Sequence, residues 1–316
     1  MHMVLSLTMM HDAHLAASPD DCLATKCAHD SLMHWNTATK LFNIVLSKPI
    51  PTSYKDAIWA TGALLGTASM AYMESADPEK AWPLKVPDPN DLDWLRLSEG
   101  KRAVWQIAEP ARPESIFHHL GKLMSHADRP DWTTQPPDFA AIPPQHARLF
   151  DITPESTLGS NLYYLPLLIL RRLRDTRITR DNLLAFLHFL LYMPTEFRNL
   201  LELKDPRAML LLLWWFRKVQ EGEHALWWIT RRARVEGRAI EIWLESFYGG
   251  EEGLMALYER VRGGGQESGT VSVGRGDQDA ASGHWWHGEG EAAKVVRDWA
   301  KEKGGGGVGF YVGCGK

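Results

Sequence analysis

Apolar residues recur at helical spacing along most of residues 1–262, and the alternation that is typical of strands is nearly absent. Residues 53–74 are apolar nearly all the way round a helical wheel, with their charges at the two ends, which indicates a buried helix. We therefore predict an all-α fold, a single irregular helical domain around this buried central helix. Small residues that let neighbouring helices come close fill its middle: Ala60, Gly62, Ala63, Gly66 and Ala68.

The same periodicity and its interruptions predict the other helices. Asp205 followed by Pro206 is a cap-then-proline helix start, and Thr52 or Ser53 with Asp56 is expected to cap the central helix. Prolines between residues 127 and 145 indicate a loop. The predicted helices cover residues 3–17, 22–47, 91–109, 113–126, 157–174, 179–192, 194–203, 206–220, 224–246 and 251–262.

The composition changes abruptly at residue 263. The last 54 residues hold 16 of the 26 glycines, in a low-complexity pattern that is typical of flexible chain. We therefore divide the sequence into an all-helical domain, residues 1–262, and a Gly-rich tail, residues 263–316, which is expected to be mostly disordered.

Charge and cysteine content exclude some classes of function. A formal net charge of -4 gives no argument for nucleic-acid binding by charge alone, and three cysteines are too few for a disulfide framework. No apolar run approaches the ~20 residues of a membrane helix, so no membrane span is expected.

The sequence offers little catalytic chemistry. His11 and His14 share a helix face without an evident third ligand, and Cys22 and Cys27 lie on different faces, so no metal site and no cofactor are predicted. No nucleophile elbow and no phosphate-binding loop occurs. The arginines at 231, 232, 234 and 238 are interpreted as a solvated helix face, with an acidic partner as the alternative.

Aromatic and methionine side chains crowd the second half of the chain and the central helix. Core packing is the first interpretation, and a pocket for a flat apolar ligand is the alternative. If such a pocket exists, side-chain type favours six positions beside the central helix and on a facing one: Trp59, Leu65, Met70, Met73, Phe186 and Phe189.

Five segments in a fixed order carry a family resemblance. HWNTATKLFNIVLS, SYKDAIWATGALLGTASMAYME, AWPL and DLDWLRLSEGKRAVWQI follow MHMVLSLTMMHDAHLA. Together they resemble the C-terminal regulatory region of fungal zinc-cluster transcription factors, with the sterol uptake control type as the nearest branch. The similarity runs over about residues 1–262.

The resemblance implies an all-α, non-enzymatic regulatory domain of a transcription regulator for genes transcribed by RNA polymerase II. It also implies a sterol or another apolar ligand, a homodimer or transcription partner, and a nuclear or shuttling location. The six-cysteine zinc cluster of that family is not in this sequence, so direct DNA binding by these residues is not expected. We interpret them as the sensing part of a truncated gene model or as a stand-alone regulatory homologue.

Two other hypotheses remain open from the residues alone. The first is a helical protein–protein interaction scaffold with a solid core and no ligand, which a large exposed apolar surface would favour. The second is an enzyme of an all-α lipid-processing type, which would need titratable groups that converge on a cleft.

Overall fold

Helices form the whole of the regular structure that the computed structural model describes, which covers residues 1–16, 22–119, 139, 142–179, 182–222 and 226–262. Within these ranges there is no strand, and the predicted all-α class is confirmed. All of them belong to one compact unit, Met1–Glu267. The predicted tail, residues 263–316, lies outside the described residues.

Eleven α-helices follow one another in the described part of the chain, with 3₁₀ turns at Thr52–Tyr54 and Pro78–Lys80. In chain order they are α1 His2–Leu15, α2 Cys22–Leu46, α3 Lys55–Ala71, α4 Asp93–Ala108, α5 Pro144–Leu149, α6 Tyr164–Leu173, α7 Leu183–Leu191, α8 Thr195–Glu202, α9 Pro206–Glu221, α10 Trp227–Tyr248 and α11 Glu252–Arg262.

The largest apolar cluster surrounds α9, which is buried over most of its length. The helix begins as predicted, because Asp205 accepts hydrogen bonds from the backbone N–H groups of Arg207 and Ala208, at 3.1 and 2.9 Å. Trp215, in the middle of α9, is fully buried, and its indole N–H donates to the carbonyl of Phe186 at 2.9 Å. Helices α6, α8, α10 and α11 pack around α9.

A second, smaller cluster joins α1, α2 and α3 at buried Met3, Ala38 and Ala68. Helix α10 connects the two regions, because it packs against α9 on one side and against α3 on the other. Helix α3 itself packs against α1, α2, α4 and α10. Six of the 17 residues of α3, the predicted central helix, are buried, and the largest apolar cluster surrounds α9 instead.

Small residues let α4 approach α3 closely, as the sequence suggested. A Cβ atom placed on Gly62 would lie 2.9 Å from Cγ1 of Val104 on α4, which is closer than real Cβ contacts. Gly100, in the middle of α4, has nothing within 4 Å of the corresponding position. Gly62 therefore has no room for a side chain, whereas Gly100 has open space.

The predicted cap of the central helix is wrong. Thr52 and Ser53 belong to the 3₁₀ turn, and α3 starts without a side-chain cap. Asp56 instead accepts from Arg112 Nη2 at 2.6 Å, from Ser115 Oγ at 2.7 Å and from the N–H of Ile116 at 3.1 Å. A carboxylate with a tertiary partner of this kind is not available for the helix end.

The helix predicted over residues 113–126 does not begin at Pro113. Residues 113–118 make turns, His119 is the first helical residue, and Ser115 Oγ accepts from the N–H of Phe117 at 3.0 Å. These turns follow from the contacts of Asp56, which bind Ser115 and Ile116 in a non-helical arrangement. Residues 120–126 lie outside the described part.

None of the described helices is both long enough and apolar enough to cross a membrane.

Alanine substitution at the two helical glycines tests the α3–α4 contact. Gly62→Ala is expected to lower the free energy of unfolding by about 1–3 kcal/mol, because the new methyl group meets a β-branched side chain with little rotamer freedom. Gly100→Ala is expected to raise it by about 0.5–1 kcal/mol, because alanine favours the helix and meets no neighbour. Urea denaturation of both variants measures the difference, and an equal gain from both would show that α4 moves freely away from α3.

Candidate functional site

A cavity of about 320 Å³ lies where the C-terminal end of α3, the segment between α3 and α4, and α10 meet. Its volume is at the lower end of the range for small-molecule pockets. Four aromatic residues and a set of charged side chains line it: Trp35, Tyr72, Trp82 and Trp94, with Glu74, Lys80, Lys85, Asp91, Asp93, Arg232 and Glu236.

Arg232 and Glu236 form the buried side of this cavity. They are four residues apart on α10, and this spacing places them on one face of the helix. Both residues are buried, at 7 % and 4 % exposure, although the neighbouring Arg231 and Arg234 are exposed. Arg232 Nη1 donates to Glu236 Oε1.

The guanidinium of Arg232 caps the C-terminal end of α3. It donates to the carbonyls of Ser69 and Met70, each at 3.2 Å, and to that of Tyr72 at 2.6 Å. These carbonyls are among the acceptors that a helix end leaves without intrahelical partners, and the negative end of the helix dipole favours a cation there. The same guanidinium lies over the ring of Trp94, 4.9 Å from its centroid.

Glu236 is a buried carboxyl group whose hydrogen bonding is incomplete. Oε1 accepts from Arg232, but Oε2 is buried and has no hydrogen-bond partner among the described residues. Burial raises the pKa of Glu236 to about 7, and the charge of Asp91 adds to this rise while Arg232 and Lys85 oppose it.

Lys85 and Asp91 form a second ion pair on the segment between α3 and α4. Lys85 Nζ lies 2.7 Å from Asp91 Oδ1 and 3.9 Å from Glu74 Oε2. The hydrogen bond to Asp91, against the effect of burial, raises the pKa of Lys85, with further support from the charges of Asp91, Glu74 and Asp88. Both members of this pair line the cavity and act electrostatically on Glu236.

The six positions that the sequence favoured for a pocket do not line a common cavity, although Met70, Phe186 and Phe189 belong to the same large core. Met73 alone lines the cavity. Met70 is 1 % exposed, and Trp59 packs edge-on against Trp105 with 5.0 Å between ring centroids. Leu65 packs against the cluster of α1, α2 and α3.

Phe186 and Phe189 belong to the large core around α9. Both are fully buried, and Phe189 stacks on Trp215 at a centroid distance of 5.6 Å. The core-packing interpretation of the aromatic residues therefore describes these two positions.

Sequence reasoning missed Arg232, Glu236 and Asp91. The interpretation of residues 231–238 as a solvated face is wrong for Arg232, which is buried. One signal was available, because the 3.6-residue period places Arg232 and Glu236 on the same side of α10 as Ile229, Val235 and Ala239, which are buried.

No group of three or more His, Cys, Asp or Glu side chains within the described ranges is placed to hold a metal ion. His11 and His14 instead pack against the ring of Trp227, at 4.8 and 5.8 Å between centroids.

Comparison with protein-family models, with curated proteins and with solved structures gives no match for this chain, so the candidate site is characterised by its own chemistry.

The raised pKa of Glu236 predicts a pH-dependent stability. The folded state holds a proton on this carboxyl up to about pH 7, whereas the unfolded chain loses it near pH 4.5, so the contribution is full below pH 4.5 and is lost as the pH rises through 7. The unfolding free energy of the wild type minus that of Glu236→Gln should therefore fall by roughly 3 kcal/mol over this window. Urea denaturation at a series of pH values measures it.

Subtracting the unfolding free energy of the variant from that of the wild type cancels the contributions of other titratable groups, including those that act in the opposite direction. Burial, with the charges of Arg171, Arg260 and Arg174, lowers the pKa of His146 to about 4, so its contribution to stability grows as the pH rises. That contribution is common to the wild type and the variant. A difference that stays constant from pH 4.5 to 7 would show that Glu236 is ionised throughout.

Removing the guanidinium of Arg232 is expected to destabilise the fold strongly. Arg232→Leu leaves Glu236 buried without its ion-pair partner and three carbonyls at the end of α3 without their donor, which should cost about 3–5 kcal/mol. The matched control is Arg238→Leu on the same helix. Arg238 is 47 % exposed at its side chain, and its partner Glu241 keeps Arg217, so the cost should stay below about 1 kcal/mol. Equal costs would contradict the role of Arg232.

Proposed function

We propose that this chain is a ligand-sensing regulatory domain of a transcription regulator, of the kind found in fungal zinc-cluster transcription factors. It is not an enzyme, it acts in the nucleus or shuttles into it, and it reaches DNA through a partner or another part of the regulator. A homodimer or a transcription partner is part of this proposal.

One observation carries the proposal. Four of the five segments on which the family resemblance depends supply residues to the same cavity. Trp35 comes from the second segment, Tyr72 and Met73 from the third, Trp82 from the fourth and Trp94 from the fifth. A cavity that collects these segments supports a binding role for them, because ligand pockets join a few polar groups to an aromatic lining.

The lining also bears on the type of ligand. The resemblance implies a sterol or another apolar ligand, for which a largely apolar pocket is expected. Buried ionic groups at the cavity, Arg232 and Glu236, favour a ligand with polar groups instead, because an apolar ligand would leave them without new partners.

A helical interaction scaffold is the alternative, and a specific surface favours it. Helices α1 and α2 carry large apolar side chains that are about half exposed or more: Val4, Leu15, Leu23, Met33, Leu41 and Ile44. An exposed apolar surface of this kind is typical of a face that binds a partner protein.

A tethering experiment tests the proposed function. The full chain, fused to a heterologous DNA-binding domain, is expected to change transcription of a reporter gene relative to the DNA-binding domain alone. Where conditions alter reporter transcription by the fusion, Trp82→Ala should abolish that alteration, because Trp82 is a buried residue of the cavity lining. Leu41→Ala, on the exposed surface of α2, is the control that should retain it. A fusion that leaves the reporter unchanged would overturn the proposal, and loss of activity only with Leu41→Ala would favour the scaffold.

A further inference from the structure

Glu236, a residue of the cavity lining, carries an acceptor that the protein does not use. Its Oε2 is buried and has no hydrogen-bond partner among the described residues. Asp91 Oδ1, also buried in the lining, has Lys85 Nζ at 2.7 Å. An unpaired buried carboxyl oxygen costs free energy, which a ligand can recover by donating a hydrogen bond to it.

The cations of the lining are already paired. Arg232 donates four hydrogen bonds, to Glu236, to two carbonyls of α3 and to the carbonyl of Tyr72 just after it. Lys85 pairs with Asp91 at 2.7 Å, and Lys80 Nζ lies 3.7 Å from Asp77 Oδ2. An anionic ligand would therefore have to displace an existing ion pair.

The balance of charge in the lining is negative. Its acidic members outnumber its basic ones, four to three, when every group is ionised. The acidic members are Glu74, Asp91, Asp93 and Glu236, and the basic ones are Lys80, Lys85 and Arg232.

Aromatic rings complete a site of the type that organic cations prefer. Trp82 is buried, and Trp35 and Tyr72 meet edge to face at 5.6 Å between centroids. Ring faces attract ammonium and guanidinium groups, and the cavity already shows this with Arg232 over Trp94. A metal ion is disfavoured, because the described residues hold no group of three metal-ligating side chains.

We infer that the cavity binds a small organic cation with N–H donors, of the ammonium or amidinium class, and that Glu236 Oε2 accepts a hydrogen bond from it. This inference rests on the proposed ligand-sensing function and names the class of ligand.

Binding of such a cation should depend on pH. The cation requires an ionised Glu236, whose pKa burial raises to about 7, so the ionised fraction grows about tenfold between pH 6 and pH 8. The apparent affinity should grow by the same factor. The charged groups that face this carboxyl are Arg232 on α10 and Lys85 and Asp91 on the segment before α4, with Glu74, Lys80 and Asp93 elsewhere in the lining, while α3 presents only backbone carbonyls to Arg232.

Calorimetric titration of the full chain tests the inference with aromatic ligands that are cationic, neutral or anionic. Benzamidinium and phenethylammonium are the cationic probes, benzamide is the neutral one and benzoate is the anion. We expect at least one cation to bind about tenfold tighter or more at pH 8 than benzamide and benzoate do. Equal or tighter binding of benzamide or benzoate, or no binding of either cation, would overturn the inference.

Substitutions locate the binding. Glu236→Gln should weaken the cation about tenfold or more, which corresponds to ~1.4 kcal/mol. Glu241→Gln is the matched control, because Glu241 is also buried on α10 but pairs with Arg217 and Arg238 outside the cavity. If Glu236→Gln does not fold, the pH dependence of the wild type decides, and an affinity that does not rise from pH 6 to pH 8 counts against Glu236.

The outcomes separate this inference from the proposed function. If the chain regulates the reporter but binds benzoate or a sterol more tightly than the cations, the proposed function stands and the inference of a cationic ligand is overturned. If the chain binds a cation through Glu236 but leaves the reporter unchanged, the inference about the cavity stands and the proposed regulatory function is overturned.

Discussion

The guanidinium of Arg232 is the contact on which this half of the structure depends. It joins α10 to the C-terminal end of α3 through three backbone carbonyls, and it meets the carboxyl of Glu236 one helical turn away. The last of those carbonyls belongs to Tyr72, where the chain leaves α3, so the guanidinium also sets the direction of the next segment. A buried charge is stable only where such partners are present, and this requirement restricts how the two helices can pack.

The same requirement produces the cavity. Arg232 has its acceptors at the end of α3, and Glu236, one helical turn away and within the electrostatic influence of Lys85 and Asp91, has only one oxygen satisfied. The pKa of a carboxyl in this position lies near physiological pH, and perturbed pKa values of this kind cluster at functional sites. An apolar contact could pack α10 on α3 without that cost, although removing one partner of the existing pair would leave the other charge buried and unpaired.

The apolar part of the domain provides rigidity rather than chemistry. Helix α9 buries Trp215 and Phe216 completely, and α10 packs against it along one side. Interiors packed in this way move little, so the face of α10 that carries Arg232 and Glu236 is held at a fixed distance from α3. Phe186 and Phe189, which the sequence suggested for a pocket, serve this support instead.

The sequence by itself determined the all-α class, the start of α9 at Asp205 and the close approach that Gly62 allows, because helical period, caps and side-chain size act within a few residues. It did not determine the site. Arg232 lies in an arginine-rich stretch that is typical of a solvated helix face. Only the tertiary structure places it against the carbonyl of Met70, 162 positions earlier in the chain. Whether a charge is solvated or buried depends on partners that are distant in sequence, and no local pattern specifies them.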